Sequence, residues 1–70
     1  MTKDKTFFFN GQEYSSDNDF SILDLLKYFS YSLDLIVLEH NNLICKKEDW
    51  KSITVNDKSK IEIITIVGGG

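Results

Sequence analysis

Proline, arginine and alanine are absent from this chain, and cysteine, histidine, methionine and tryptophan occur once each. One cysteine, Cys45, excludes an internal disulfide and a cysteine-rich zinc site. That fits a reducing compartment, the cytoplasm or a plastid stroma. No apolar run approaches the roughly 20 residues that a membrane span needs, so no membrane partner is expected. The opening residues, Met1 to Thr6, are polar and lead straight into a β-prone run, so no secretory leader is expected. Positive charge is also scarce. Eight lysines face 11 acidic residues, a net charge of -3, which argues against nucleic-acid phosphate as a partner. With 70 residues there is no room for a deep cleft between two domains. The missing residues have GC-rich codons, so an AT-rich coding genome is expected, either an organelle's or a low-GC bacterium's.

Against these absences stand many isoleucines, leucines and phenylalanines; hydrophobic residues are 41% of the chain. A domain this short buries only about 60% of its unfolded surface, so large side chains must supply its core. One domain over residues 1–70 is expected, ending in a flexible glycine tail at 68–70.

The pattern along the chain changes period once. Thr6 to Phe9 is β-prone and is followed by Asn10-Gly11, the strongest short hairpin signal, because a type I′ turn needs positive φ at both central residues. Gln12 to Tyr14 reads as the return strand. Ile22, Leu25, Leu26 and Phe29 then form one stripe of an amphipathic helix. Ser21 with Asp24 reads as its capping pair, and its end is expected near Ser30. Leu35 to Glu39 is a mostly apolar run, read as a central strand buried on both faces. Asn41-Asn42 predicts a second tight turn, with Leu43 to Cys45 returning from it. Ile53 to Val55 reads as a short strand and Ile61 to Val67 as the final one. The result is a two-layer α+β domain, a mixed sheet of four to five strands with one helix on one face. The other face is left for water or a partner.

Three of the four glycines are Gly68, Gly69 and Gly70. At an average usage of roughly 7%, such a run at a named place arises by chance about once in 3,000. A frayed terminus is the competing reading, but the run continues a strand pattern without a break. Glycine lacks a Cβ, so the tail is thin enough to lie in a narrow channel. The Gly70 carboxylate on such an arm is a reagent rather than a catalyst. Attack on a nucleotide α-phosphate would activate it, and the acyl-adenylate would then be open to a nucleophile. The chain itself has no phosphate-binding glycine loop and no evident Cys/His pair, so another enzyme must do this chemistry.

Nearly the whole chain resembles the ThiS family, the sulfur carriers of thiamine biosynthesis. Phe9-Asn10-Gly11 matches the opening hairpin and Ser21 to Leu26 the helix start. Val37-Leu38-Glu39 with Asn41-Asn42 matches the central hairpin, Glu48-Asp49-Trp50 the next connection, and Asp57 with Lys60 to Gly70 the ending. Lys58-Ser59 stands where Gly-Asp is common, and Lys46 where Pro often is. The resemblance implies a ubiquitin-like β-grasp fold and a protein that is a substrate, not an enzyme. It implies no metal and no permanently bound cofactor. ATP is used by an adenylating enzyme of the ubiquitin-activating type to activate Gly70. A persulfide protein then supplies sulfur to give a thiocarboxylate, and thiazole synthase consumes it. The free carrier is expected to be a monomer. Two rivals share the chemistry of the tail: the small subunit of molybdopterin synthase, and a protein modifier joined to lysines through Gly70.

Strand alternation adds a surface. If Ile61 and Ile63 face the helix with Phe7 and Phe9, then Phe8, Glu62, Ile64 and Ile66 face away. Phe8, Ile64 and Ile66 are therefore expected to form a partner-binding patch leading toward the tail. Cys45 is expected to pack as a small hydrophobe. Trp50 is read as a packing residue, while His40 and the Lys46-Lys47 pair are expected in solvent.

Overall fold

The computed structural model describes residues 4–65. Ile66 and Gly68 to Gly70 lie outside the described residues, as does the end of the expected final strand.

β1 (Lys5–Phe9) and β2 (Gln12–Ser16) form an antiparallel hairpin with Phe9 opposite Gln12. Asn10 and Gly11 hold φ of 53° and 79°, the left-handed pair that a two-residue turn demands. α1 (Ile22–Tyr28) starts at a complete capping box. The Ser21 Oγ accepts from the Asp24 N–H at 3.1 Å, and Asp24 Oδ2 accepts from the Ser21 N–H at 3.0 Å. Its end is a Schellman closure on a serine. Ser30 takes φ of 61°, its N–H reaches the Lys27 carbonyl, and the Tyr31 N–H reaches that of Leu26.

A 3-10 turn at Leu33–Leu35 leads into β3 (Ile36–His40) and β4 (Leu43–Cys45). Asn41 and Asn42, at φ of 53° and 73°, close this second hairpin. After another 3-10 turn at Lys47–Asp49 the chain crosses to β5 (Lys60–Thr65). The sheet order is β2-β1-β5-β3-β4, with β1 and β5 parallel and the other neighbours antiparallel. Ile22, Leu25 and Leu26 of the helix pack with Phe7, Phe9, Leu38, Cys45, Trp50, Val55 and Ile61 into one core. Seven of the nine aromatic rings are in mutual contact from Phe20 through Phe7, Tyr14 and Phe9 to Phe29, Tyr28 and Tyr31.

Three local expectations need correction. β3 is an interior strand, between β5 and β4, but it is buried on one face only: Leu38 is fully covered while its neighbours are half-exposed. Leu35 belongs to the turn before it and is 61% exposed. Ile53 to Val55 is not a strand of the sheet. It runs beside the lead into α1, so it makes one bridge, Ser21 to Thr54, flanked by bonds of Ile22 N–H to Ile53 and Val55 N–H to Phe20. His40 shares the parity of core residue Leu38; its Nε2 is shielded from solvent and has no hydrogen-bond partner among the described residues. It is not the solvated side chain expected from its place before a turn.

The departures from the family pattern fit the backbone. Lys58, where glycine is common, holds φ of 68°. Lys46, where proline is frequent, has φ of -67°, the angle a pyrrolidine ring imposes.

Candidate functional site

β5 is the strand from which the glycine tail runs, and both of its edges are held. Toward β3 it is paired from Ile61–His40 to Thr65–Ile36. Toward β1 the pairing covers only Phe8–Lys60 and Phe9–Ile61, because β1 turns away at Asn10. Asn10 then replaces the missing strand. Its N–H donates to the Ile61 carbonyl at 2.9 Å, and its Oδ1 accepts from the Ile63 N–H at 2.8 Å. Its Nδ2 donates to the Tyr31 hydroxyl at 3.0 Å. Asn41 does the same on the other edge: its N–H donates to the Lys60 carbonyl at 2.7 Å, and its Oδ1 accepts from the Lys60 N–H at 2.9 Å. Each hairpin's first asparagine thus serves twice, as a left-handed turn residue and as a splint on β5.

The parity of β5 puts Ile61 in the core and Ile63 against it, while Ile64 is 44% exposed on the face away from α1. Phe8 is half-buried, opposite Lys60 near the far end of β5. It is therefore not a neighbour of Ile64; Lys60 and Glu62 intervene. The residues that do adjoin Ile64 were not singled out from the sequence. Val37 lies directly opposite it, and Ile44, 61% exposed, lies opposite Glu39 one step further. Val37 could have been found from its alternation with Leu38, whereas Ile44 needs the register of β4.

Cys45 is 8% exposed and packs in the core. Burial, with a smaller contribution from the Asp49 carboxylate, pushes its thiol pKa up, which disfavours the thiolate that sulfur exchange requires. Trp50 is 1% exposed and its Nε1 donates to the Cys45 carbonyl at 3.1 Å, a core residue with its polar atom satisfied. Lys47 pairs with Asp34 and Lys46 is exposed. Among the described residues no three His, Cys, Asp or Glu side chains gather as metal ligands, and no helix is long and apolar enough to cross a membrane.

A five-stranded mixed sheet grasping one helix, with a parallel pair at its centre, is the ubiquitin-like β-grasp. The family model that matches is the ThiS family, over residues 7–70, and the chain belongs to that family. It is 54% identical to the ycf40 protein of Trieres chinensis over 66 residues, 94% of this chain and 90% of that one. It is 36% identical to the ycf40 protein of Porphyra purpurea over 61 residues, 87% of this chain and 86% of that one. The crystal structure of the thiamine biosynthesis protein ThiS from Geobacter metallireducens superposes with a TM-score of 0.79 at 22% identity, covering 93% of this chain and 99% of that one. Members of the family are small sulfur carriers of thiamine biosynthesis rather than catalysts.

Proposed function

We propose that the chain carries sulfur for the thiazole ring of thiamine on the carboxylate of Gly70. The observation that supports this most is the family match, which runs through the final glycines, together with the doubly splinted central strand that precedes them. An adenylating enzyme of the ubiquitin-activating type joins the Gly70 carboxylate oxygen to the α-phosphorus of ATP, with pyrophosphate leaving. The terminal sulfur of a protein persulfide attacks the acyl carbon and AMP leaves. A thiol then takes the cysteinyl sulfur of the acyl disulfide, releasing the thiocarboxylate for thiazole synthase. Gly68 and Gly69 are the thin segment that enters the partner sites. Ile64, with Val37 and Ile44 and on the expected continuation Ile66, is the docking face that holds the body while the tail reacts. Phe8 stands apart from that patch and is at most its rim. Similarity to ycf40 proteins favours an organelle-encoded protein working in the plastid stroma.

Intact mass after incubation with ATP, a sulfur source and the cognate adenylating enzyme tests the reading. The mass should rise by the oxygen-to-sulfur difference, with fragmentation placing the change on Gly70. An unchanged mass with an enzyme shown to be active would falsify it. Adding one residue after Gly70 should abolish the change.

A further inference from the structure

The open face of the sheet contains one arrangement that works against the fold. Glu39 of β3 and Glu62 of β5 are direct partners in the antiparallel ladder, on the parity of exposed Ile64. Like charges directly opposite each other destabilise a sheet. Both side chains are half-buried, so water screens them less than it would at a loop tip. Among the described residues the ion pairs are Lys5–Asp19 and Lys47–Asp34, and neither glutamate has one. Lys60, next to Glu62 on the same face, has its ammonium 3.4 Å from Asn42 Oδ1 instead. Around the two carboxylates lies an apolar rim: Ile44 opposite Glu39, and the Val37–Ile64 pair one step along the ladder.

We propose that this face docks a protein surface carrying a cationic side chain ringed by apolar ones, with the cation seated between Glu39 and Glu62. An arginine fits best, since its planar fork can donate to both carboxylates at once. A second copy of this chain does not fit with its two-fold axis at the pair, because that arrangement sets four carboxylates against one another. The inference rests on the carrier reading and gives its docking step a recognition chemistry: the adenylating enzyme supplies the cation.

The double variant E39Q/E62Q keeps the shape and removes the charge. Its melting temperature should rise by on the order of 2–4 °C as the repulsion goes. Its affinity for the cognate adenylating enzyme, measured by titration calorimetry, should fall on the order of ten-fold or more, and most of the salt dependence of binding should go with it. Ile64→Ala should weaken binding while leaving the salt dependence in place. The inference is overturned if E39Q/E62Q binds as tightly as the wild type, or if its melting temperature fails to rise. Sedimentation showing that the wild type self-associates, and that E39Q/E62Q does so more tightly, would assign the face to a second copy and overturn it too. Thiocarboxylate formation on the wild type is read in parallel. If it occurs while E39Q/E62Q binds normally, only the charge recognition fails; if it does not occur, the carrier reading and this inference fall together.

Discussion

Ile63 and Ile64 are consecutive residues of β5 with opposite surroundings. Ile63 packs against the core under α1, whereas Ile64 is 44% exposed on a face that no element of the described chain covers. The covered face is bound by volume and dryness. Ile22, Leu26, Leu38, Val55 and Ile61 there have no exposed surface at all, so any change of size or polarity is felt. The open face mixes Val37, Ile44 and Ile64 with two glutamates that have no ion pair among the described residues, a like-charge pairing that works against the sheet. Selection for stability alone does not produce such a surface. The difference between the two faces separates what holds this protein together from the surface proposed to meet a partner.

A carboxylate placed on each side of β5 in turn should produce the largest contrast. Ile63→Asp should cost on the order of 3–5 kcal/mol, by lost packing and a charge forced toward the core. For a domain whose total stability is about 5 kcal/mol, that is unfolding. Ile64→Asp should leave the melting temperature nearly unchanged and weaken binding to the adenylating enzyme by about 2 kcal/mol if Ile64 is a central contact. Circular-dichroism melts and binding titrations of the two variants decide it. If Ile64→Asp unfolds the domain and Ile63→Asp does not, the assignment of faces is inverted.

Asn10 tests the edge where the two faces meet. Asn10→Ala removes the acceptor from the Ile63 N–H and puts a residue ill suited to φ of 53° into the turn. A loss of about 2 kcal/mol is expected. Asn10→Gly restores the turn but not the acceptor, so it should recover only part of that loss. Amide exchange at Ile63 should accelerate in both variants. Equal stability of Asn10→Gly and wild type would remove the splint from the account.

The local features of this fold were legible in the chain because short-range chemistry decides them. Asn-Gly demands the left-handed turn, Ser21 and Asp24 close the capping box, and alternation assigns Ile63 and Ile64 to opposite sides. What was not legible depends on register between distant segments. The apolar run of β3 reads like a strand buried on both faces, yet it is an interior strand covered on one, since which face the helix covers follows from the crossovers rather than from composition. Phe8 shares a face with Ile64 but pairs with Lys60, and only the parallel register shows the gap between them. Ile44 and the glutamate pair are likewise products of register. His40 went astray because a residue beside a turn is usually wet, whereas here its parity follows Leu38. The proposed reacting end, Gly68 to Gly70, lies outside the described residues and is read from composition and family resemblance alone.

Smaller effects should come from the helix cap, which supports the covered face from its end. Ser21→Ala should cost about 1 kcal/mol by freeing the Asp24 N–H. The Ser21 backbone N–H and hydroxyl hold the Asp24 carboxyl below its ordinary pKa. A depressed folded pKa means that this contribution is present above the unfolded value, about 4, and is lost as pH falls through the folded one. Ser21→Ala keeps the backbone N–H and loses only the hydroxyl's share of that contribution, so the gap, set mainly by the freed Asp24 N–H, should narrow only slightly below about pH 4. Melts across that range measure it, and a gap that widens in acid would contradict the cap's geometry.

The smallest expected effect lies away from both faces and therefore calibrates them. Lys58 sits at φ of 68° in the turn before β5, where its N–H donates to the Thr6 carbonyl and the neighbouring Asp57 Oδ1 accepts from the Thr6 N–H at 2.8 Å. A side chain in the left-handed region costs roughly 1–2 kcal/mol relative to glycine. Lys58→Gly relieves that cost and keeps the N–H, but it also loosens the unfolded chain by about 0.5–1 kcal/mol. A net gain of about 0.5 kcal/mol is expected, read as a melting temperature on the order of 2–4 °C higher. Because Lys58 touches neither the core nor the patch around Ile64, binding to the adenylating enzyme should not change. E39Q/E62Q should raise the melting temperature by a similar amount while weakening binding. The pair of variants then separates stability from recognition: equal thermal gains with unequal affinities mean that the glutamates are kept for a partner. If Lys58→Gly weakens binding as much as E39Q/E62Q does, stabilisation itself is what impairs docking, and the open face loses its claim to a specific charge contact.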